Sequence, residues 1–436
     1  MFRIATCCLF SVCLIACGPR PKPMFDAGME EDAGMEVDAG RPRGDDPPNG
    51  WQVALELPAG ASVSTRLGVS VAAIGDQFSH PVIAALYEDP NGDLNYDDNR
   101  IVFTRWDGVA KAYEPMKTIE VVGGSAFVHP NRQISISRDP ESGRIGVAYV
   151  KPQNNTVRLA LSDDEGANFS LSSISDPGNA AIVSNPSLVL AGGATHIGWL
   201  QGTDIHYGKK TGSGALMEQN PGALVAGGKS LSLAVDSAGN PGVAFFQAVG
   251  GVSADLMFWR PGFTASTIAS ADMLDLTVAG REPSVTLTFV GTTPHAAYHL
   301  RKRADAEAIE LWYQKSTDTG TTWATPVAVP RNASSATEFH STRYYQALTI
   351  EPSGRVSIAA PWSATGTQSN CNGPKLARAP GGGVFTTCSP AGSPIQRGGE
   401  WINLWTHKPG KQTLVFHYDA RSNQSIKAGV VLWREL

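Results

Sequence analysis

Three arginines stand just ahead of runs of alternating apolar residues. Arg132 ends His129-Pro130-Asn131-Arg132 before the run Ile134–Asp139, and Arg343 ends His340-Ser341-Thr342-Arg343 before Ala347–Pro352. Arg281 begins Arg281-Glu282-Pro283 before Ser284–Val290. A guanidinium offers a planar fork of donors that matches a carboxylate, so three converging forks could grip an acidic group. His129, Glu282, His340 and Tyr344 complete the set of candidate ligand-binding side chains. The same residues could instead satisfy neighbouring backbone or pair with Glu282, and the pattern alone does not decide between these roles.

A second stretch offers metal chemistry. In Asp89-Pro90-Asn91-Gly92-Asp93-Leu94-Asn95-Tyr96-Asp97-Asp98, oxygen-bearing side chains fall at alternate positions: Asp89, Asn91, Asp93, Asn95 and Asp97. Ca²⁺ takes six to eight oxygen ligands, so calcium is the one cofactor the sequence offers. The stretch departs from an EF-hand loop, with Leu94 where the glycine belongs and Arg100 where the bidentate Glu should stand. A solvated hairpin would read similarly. No zinc spacing, phosphate loop or Gly-x-Ser-x-Gly elbow occurs.

The elements that must position these residues are strands. From Trp51 to Leu436 short alternating runs are separated by Gly, Pro, Asp and Asn, and no long stretch has a helical period. Seven similar units follow one another, each a strand, a turn and a second strand: Val69–Gly75 with Val82–Glu88, Ile134–Asp139 with Ile145–Lys151, Ser187–Gly192 with Thr195–Leu200, Leu231–Ser237 with Gly242–Gln247, Ser284–Val290 with Pro294–His299, Ala347–Pro352 with Val356–Pro361, and Ile402–His407 with Thr413–Asp419. Tryptophans 106, 199, 259, 312, 362, 405 and 433 recur about once per unit, as large rings packing between repeats would.

Two units also carry the same eight-residue pattern. Ser162-Asp163-Asp164-Glu165-Gly166-Ala167-Asn168-Phe169 and Ser316-Thr317-Asp318-Thr319-Gly320-Thr321-Thr322-Trp323 both read Ser-x-Asp-x-Gly-x-x-aromatic. The carboxylates of Asp164 and Asp318 can cap backbone N–H groups. Gly166 and Gly320 can take positive φ, and Phe169 and Trp323 can pack the turn down. The pattern resembles the Asp-box of sialidase-like β-propellers. That resemblance implies an all-β propeller, here counted as seven blades, with the six blades of catalytic sialidases as the alternative. The last unit runs out after three strands, so the alternating run Gln52–Leu57 is expected to supply its outer strand and close the ring. In sialidases an arginine trio grips the sugar carboxylate beside a Tyr–Glu pair and an Asp. This chain lacks their Arg-Ile-Pro motif, Arg132 being followed by Gln133, and spacing assigns no Tyr–Glu pair. The expected activity is therefore binding of a glycan or protein at the channel rim. A glycoside hydrolase acting on an acidic sugar is the alternative, and a structural part of an envelope complex the third.

The amino-terminal end reads as an export signal. Arg3 precedes an apolar run from Ile4 to Ala16, too short to span a bilayer. Leu14-Ile15-Ala16-Cys17 resembles a bacterial lipobox, which implies cleavage before Cys17 and its lipidation. An ordinary secretory signal containing a cysteine is the alternative. The expected organisation is a signal over 1–16, an acidic tether over 17–50 and a propeller over 51–436, held by a lipid at an outer membrane or cell surface. Between Asp26 and Asp46 lie eight acids and two bases, against a net charge of −5 for the whole chain. The rest has no strong field, so nucleic acid is not an expected partner, and the expected state is a monomer. Cys371 and Cys388 are the only cysteines beyond Cys17, an even pair that suggests one disulfide in an exported protein.

Overall fold

The computed structural model describes residues 44–56, 66–91, 93, 95, 97–124, 132–175, 181–222, 226–249, 254–270, 284–301, 309–330, 339–340, 346–363, 371–388, 400–422 and 425–435. They form seven antiparallel sheets arranged as a seven-bladed β-propeller. From the axis outward, blade 1 holds Arg66–Gly75, Pro81–Glu88 and Arg100–Asp107, the last pairing with both Ala112–Tyr113 and Lys117–Val121. Blade 2 holds Ile134–Arg138, Ile145–Lys151, Thr156–Ser162 and Ser170–Ser173. Blade 3 holds Val183–Ala191, Ala194–Gln201, Asp204–Thr211 and Met217–Glu218. Blade 4 holds Ala226–Val235, Pro241–Ala248, Ala254–Trp259 and Ser266–Ala269. Blade 5 holds Val285–Val290, Thr293–Arg301, Ile309–Lys315 and Val327–Val329. Blade 6 holds Ala347–Ile350 with Phe339–His340, then Val356–Ser363, Cys371–Ala379 and Thr386–Cys388. Blade 7 holds Glu400–Lys408, Lys411–Ser422, Ser425–Arg434 and, from the other end of the chain, Gly50–Glu56.

The expected ring closure is observed. Gly50 lies opposite Arg434, Trp51 opposite Trp433 and Val53 opposite Val431. The inner strands touch in the order of the blades, and that of blade 7 touches that of blade 1. Apolar side chains gather between blades rather than in one centre. Val82, Leu86 and Phe103 of blade 1 pack on Ile134, Val147 and Tyr149 of blade 2. Both faces of a blade are covered in this way, so a second strand such as Pro81–Glu88 is buried at every position and reads as one continuous apolar run.

Inner strands alternate apolar residues with hydroxyls, and the hydroxyls join the blades. The Ser70 hydroxyl accepts the Gln133 amide across the first seam at 3.2 Å. Ser135 and Ser137 accept Leu188 and Leu190 at 3.0 and 2.9 Å, and Ser187 accepts Leu233 at 3.0 Å. Ser230 and Ser232 accept Val285 and Leu287 at 3.1 and 2.9 Å. Thr286 donates to the Gln346 carbonyl at 2.7 Å, and Asn403 of blade 7 donates to Val71 of blade 1 at 3.3 Å. The seam between blades 6 and 7 is bridged further out, by Gln412 on Glu351 at 2.8 Å and by Arg378 on Glu435.

Four inner strands run further than their alternation suggests. Register shifts break the pairing between Leu67 and Val71, Ser184 and Ser187, Ala226 and Leu231, and Glu400 and Asn403. Asn185 and Trp401 sit inside two of these bulges at φ of 52° and 54°. A bulge adds a residue and flips the in–out pattern, which hides the far side of the strand from a reading based on period two.

Strand direction sorts the connections onto two faces. On one lie the turns from first to second strands, such as 76–80, 192–193, 291–292 and 409–410, and the turns from third to fourth strands; this is the turn face. On the other, the loop face, the connections include 122–133, 270–284 and 389–399.

The fold begins before Trp51, on the turn face. The Asp45 amide donates to Gly108 at 2.7 Å, and the Trp106 indole donates to the Asp45 carbonyl at 2.8 Å. The Asp46 carboxylate meets His80, Lys408 and the 2 % exposed Arg434, each at 3.2 Å. Removing one partner of a buried ion pair leaves the other charge stranded. Asp46→Ala should therefore cost about 2–3 kcal/mol, the lower end for such pairs because Asp46 is partly wetted. A denaturant midpoint equal to that of the parent would show that Arg434 is neutralised without Asp46.

Candidate functional site

Among the sequence candidates on the loop face, the structure describes Arg132 and part of His340. Arg132 is half-buried and tied by its backbone to the next blade: its amide donates to Asn185 Oδ1 at 3.2 Å, and its carbonyl accepts the Asn185 amide at 3.0 Å. The backbone of His340 pairs with that of Trp362. His129, Arg281, Glu282, Arg343 and Tyr344 lie outside the described residues, and so does any convergence of the three guanidiniums.

Two groupings of nucleophile-like residues are present that spacing did not reveal. Ser284 and His299 approach at 3.1 Å, but both are buried, and the serine proton goes to Gln346 Oε1. His299 Nδ1 also contacts that oxygen, at 3.0 Å. An amide oxygen only accepts, so Nδ1 is the protonated nitrogen and does not serve as a base toward Ser284. Gln346 completes the knot by donating to Ser284 and Ala297 carbonyls, joining blades 5 and 6. Tyr149 donates to Glu120, which also holds Lys151 at 2.8 Å and Arg158 at 3.1 Å. Despite burial, these donors keep the Glu120 carboxyl below its usual range. This Tyr–Glu pair spans blades 1 and 2 with the tyrosine fully buried, so it is an inter-blade brace.

The Asp-boxes take their expected turn geometry. Asp164 accepts the Asn168 amide at 2.7 Å, and Ser162 accepts the Gly166 amide at 2.7 Å. Asp318 accepts amides of Gly320, Thr321 and Thr322, and Ser316 accepts that of Gly320. Gly166 and Gly320 have φ of 91° and 112°. The aromatic residues, however, close the gap to the preceding blade rather than packing within their own. Phe169 meets Phe103 edge to face at 5.1 Å, and Trp323 meets Phe258 in the same way at 5.6 Å. Blade 6 repeats the device without its aspartate: Gly382, at φ 74°, sits over Tyr313, and Phe385 meets that ring at 5.6 Å. The signal was Gly-x-x-aromatic shortly after the third strand.

The stretch 89–98 forms consecutive Asx turns. Asn91 Oδ1 accepts the Asp93 amide at 3.1 Å, and Asp93 Oδ1 accepts that of Asn95 at 2.9 Å. The Asn91 and Asn95 side chains donate to Asp93 and Asp97 at 3.1 and 3.0 Å, while the amide of Asp89, wholly buried, donates to Asn99 Oδ1 at 2.7 Å. Among the described residues no group of three His, Cys, Asp or Glu side chains converges as metal ligands would. Cys371 begins its strand, whereas Cys388 lies opposite Leu376.

Two buried histidines face tyrosines in equivalent places. His196 meets the Tyr207 hydroxyl at 2.8 Å and His295 that of Tyr313 at 2.6 Å. Burial, aided by Lys209 and Lys315, pushes both histidines down to about 4, and burial takes His299 there too. Against the cost of its burial, the Asn168 amide and side chain and the Ser162 hydroxyl together hold Asp164 at about 2.

These shifts predict acid instability in two stages. The unfolded chain protonates its histidines near 6.5 while the folded chain does not, so stability falls as pH drops from about 6.5 to 4. Asp164 holds its contribution above its unfolded value of 3.8 and loses it toward 2. His196→Asn should flatten the fall in melting temperature over the first window; an unchanged slope would show that His196 does not titrate there. A steric test concerns Gly320, where a Cβ would come within 2.1 Å of Phe258. Gly320→Ala should cost about 3 kcal/mol, and Gly262→Ala, with open space around it, about 1 kcal/mol. Equal melting temperatures for the two variants would overturn the inter-blade role of the box.

No family model and no curated protein matches the chain. Solved structures do resemble it in overall course. A Hadza microbial sialidase gives a TM-score of 0.47 at 12 % identity, over 88 % of this chain and 68 % of the other. The Aleuria aurantia lectin, solved with Fucα1-6GlcNAc, gives 0.42 at 14 % identity over 77 % and 99 %. The Fusarium graminearum α-L-arabinofuranosidase Arb93A gives 0.47 at 10 % identity over 88 % and 97 %.

Proposed function

We propose that this chain is an exported lipoprotein whose propeller binds a glycan or protein ligand at its loop face without turning it over. The observation that carries this reading is the inequality of the two faces. The first-to-second turns of the turn face are short and braced by ion pairs, whereas the longest connections, 122–133 and 270–284, lead into inner strands from the loop face and carry Arg132 and Arg281. Binding sites concentrate on loops held by a rigid scaffold. The described Ser–His and Tyr–Glu pairs are engaged in inter-blade hydrogen bonds, which favours binding over turnover. The signal over 1–16, lipidation at Cys17 and residence at an outer membrane or cell surface rest on the lipobox and the apolar run before it. Calcium in the stretch 89–98 would have to displace the Asn91 and Asn95 amides from their carboxylates.

The arginines favour one alternative, a hydrolase acting on an acidic sugar. The test uses the full chain and its Arg132→Ala/Arg343→Ala double variant, on an array of acidic and neutral glycans and on 4-methylumbelliferyl sialoside. The expected result is glycan capture that falls at least tenfold in the double variant, with no fluorophore released. Release that depends on the arginines would make the protein a hydrolase. Neither capture nor release would overturn both readings and leave a structural component. Cys17→Ser should move the protein from the membrane fraction to the soluble one; retention would count against the lipid anchor.

A further inference from the structure

The position at which the chain joins the propeller fixes which face looks toward its anchor. In blade 7 the third strand runs from the loop face to the turn face and ends at Arg434. Gly50 lies opposite Arg434, so the outer strand starts at the turn face and climbs away from it. The preceding residues continue along that face. Asp46 reaches His80, at the end of blade 1's inner turn, and Lys408, at the start of blade 7's. Asp45 reaches Gly108 and Lys111, in the turn beyond blade 1's third strand. Pro47 is buried between them. Six groups on two blades thus hold residues 45 and 46 against the turn face, where the described residues begin at Gly44.

We propose that Asp45 and Asp46 form a latch that keeps the tether's origin on the turn face, so that an anchored molecule presents its loop face, and any ligand bound there, away from the membrane. The inference rests on the lipid-anchor reading given above. A blade is about 23 Å tall at ~3.3 Å per residue of strand. Leaving from one face rather than the other therefore biases which face is near the lipid. An origin on the loop face would place the tether across the proposed binding surface, and the latch keeps it clear of that surface.

The experiment uses the lipidated full chain in phosphatidylethanolamine–phosphatidylglycerol vesicles carrying a short-range acceptor dye. A donor is attached through a click-reactive residue at Ser237, in an exposed turn of the turn face, or at Thr203, exposed on the loop face. The expected result is energy transfer about twofold higher at Ser237 than at Thr203, with both falling to background in Cys17→Ser. Equal transfer at the two positions, or higher transfer at Thr203, on protein that floats with the vesicles would overturn the proposal. Failure of the parent chain to float would remove the anchor reading instead, and the proposal with it.

Discussion

The ring depends on what happens at the edge of each inner strand. One edge pairs with the second strand of its own blade. The other faces the axis and would leave amides without acceptors, at about 1–3 kcal/mol for each one buried. Serine solves this in a repeated way. Its hydroxyl, on the inner strand of one blade, accepts the amide of the next blade's inner strand, as Ser135 and Ser137 do for Leu188 and Leu190. Because a strand repeats every two residues, donors at i and i+2 meet hydroxyls at i and i+2, and serine is large enough to reach them. Alanine at these positions would nearly keep the volume and lose the acceptor. The alternation Ile134-Ser135-Ile136-Ser137 therefore encodes both the apolar packing of one blade and its attachment to the next.

A second constraint acts at the outer part of the blades, where wedge-shaped gaps must be filled. The Asp-box answers it with a ring and a missing side chain. Phe258 of blade 4 lies beneath Gly320 and against Trp323 of blade 5, and Phe103 of blade 1 lies beneath Gly166 and against Phe169 of blade 2. Asp164 and Asp318 shape the turn, but the glycine and the aromatic residue make the seam. That division explains blade 6, where Pro380, Gly382 and Phe385 keep the seam after the aspartate is gone. Loss of the carboxylate removes local amide caps; loss of the glycine would force a Cβ into a ring.

Much of this was legible from particular residues. The strand pairs, the closing strand near Gln52–Leu57 and the two Asp-boxes appear where alternation and turn residues place them, because a propeller repeats one local grammar. The far ends of the inner strands were not legible, since a bulge such as that at Asn185 breaks the period. The partner of each box aromatic was also hidden, because a contact across blades leaves no trace in local spacing. The candidate site divides in the same way. Its place at strand lead-ins followed from the repeat, while the meeting of Ser284, His299 and Gln346 joins positions up to 62 residues apart.

The acidic amino-terminal segment shows how composition can merge two kinds of charge. Eight acids fall between Asp26 and Asp46, and a count treats them alike. Asp45 and Asp46 differ in what surrounds them. Arg434 is almost wholly buried, and a guanidinium does not lose its proton, so it requires an anion close by. Asp46 supplies that anion while also meeting His80 and Lys408, which makes it part of the folded charge balance. The two prolines that follow restrict the backbone between the latch and Gly50, lowering the entropy lost when the segment docks. A boundary drawn by composition falls at Trp51, whereas one drawn by interaction falls at the first residue that pairs with a buried charge, which is Asp46.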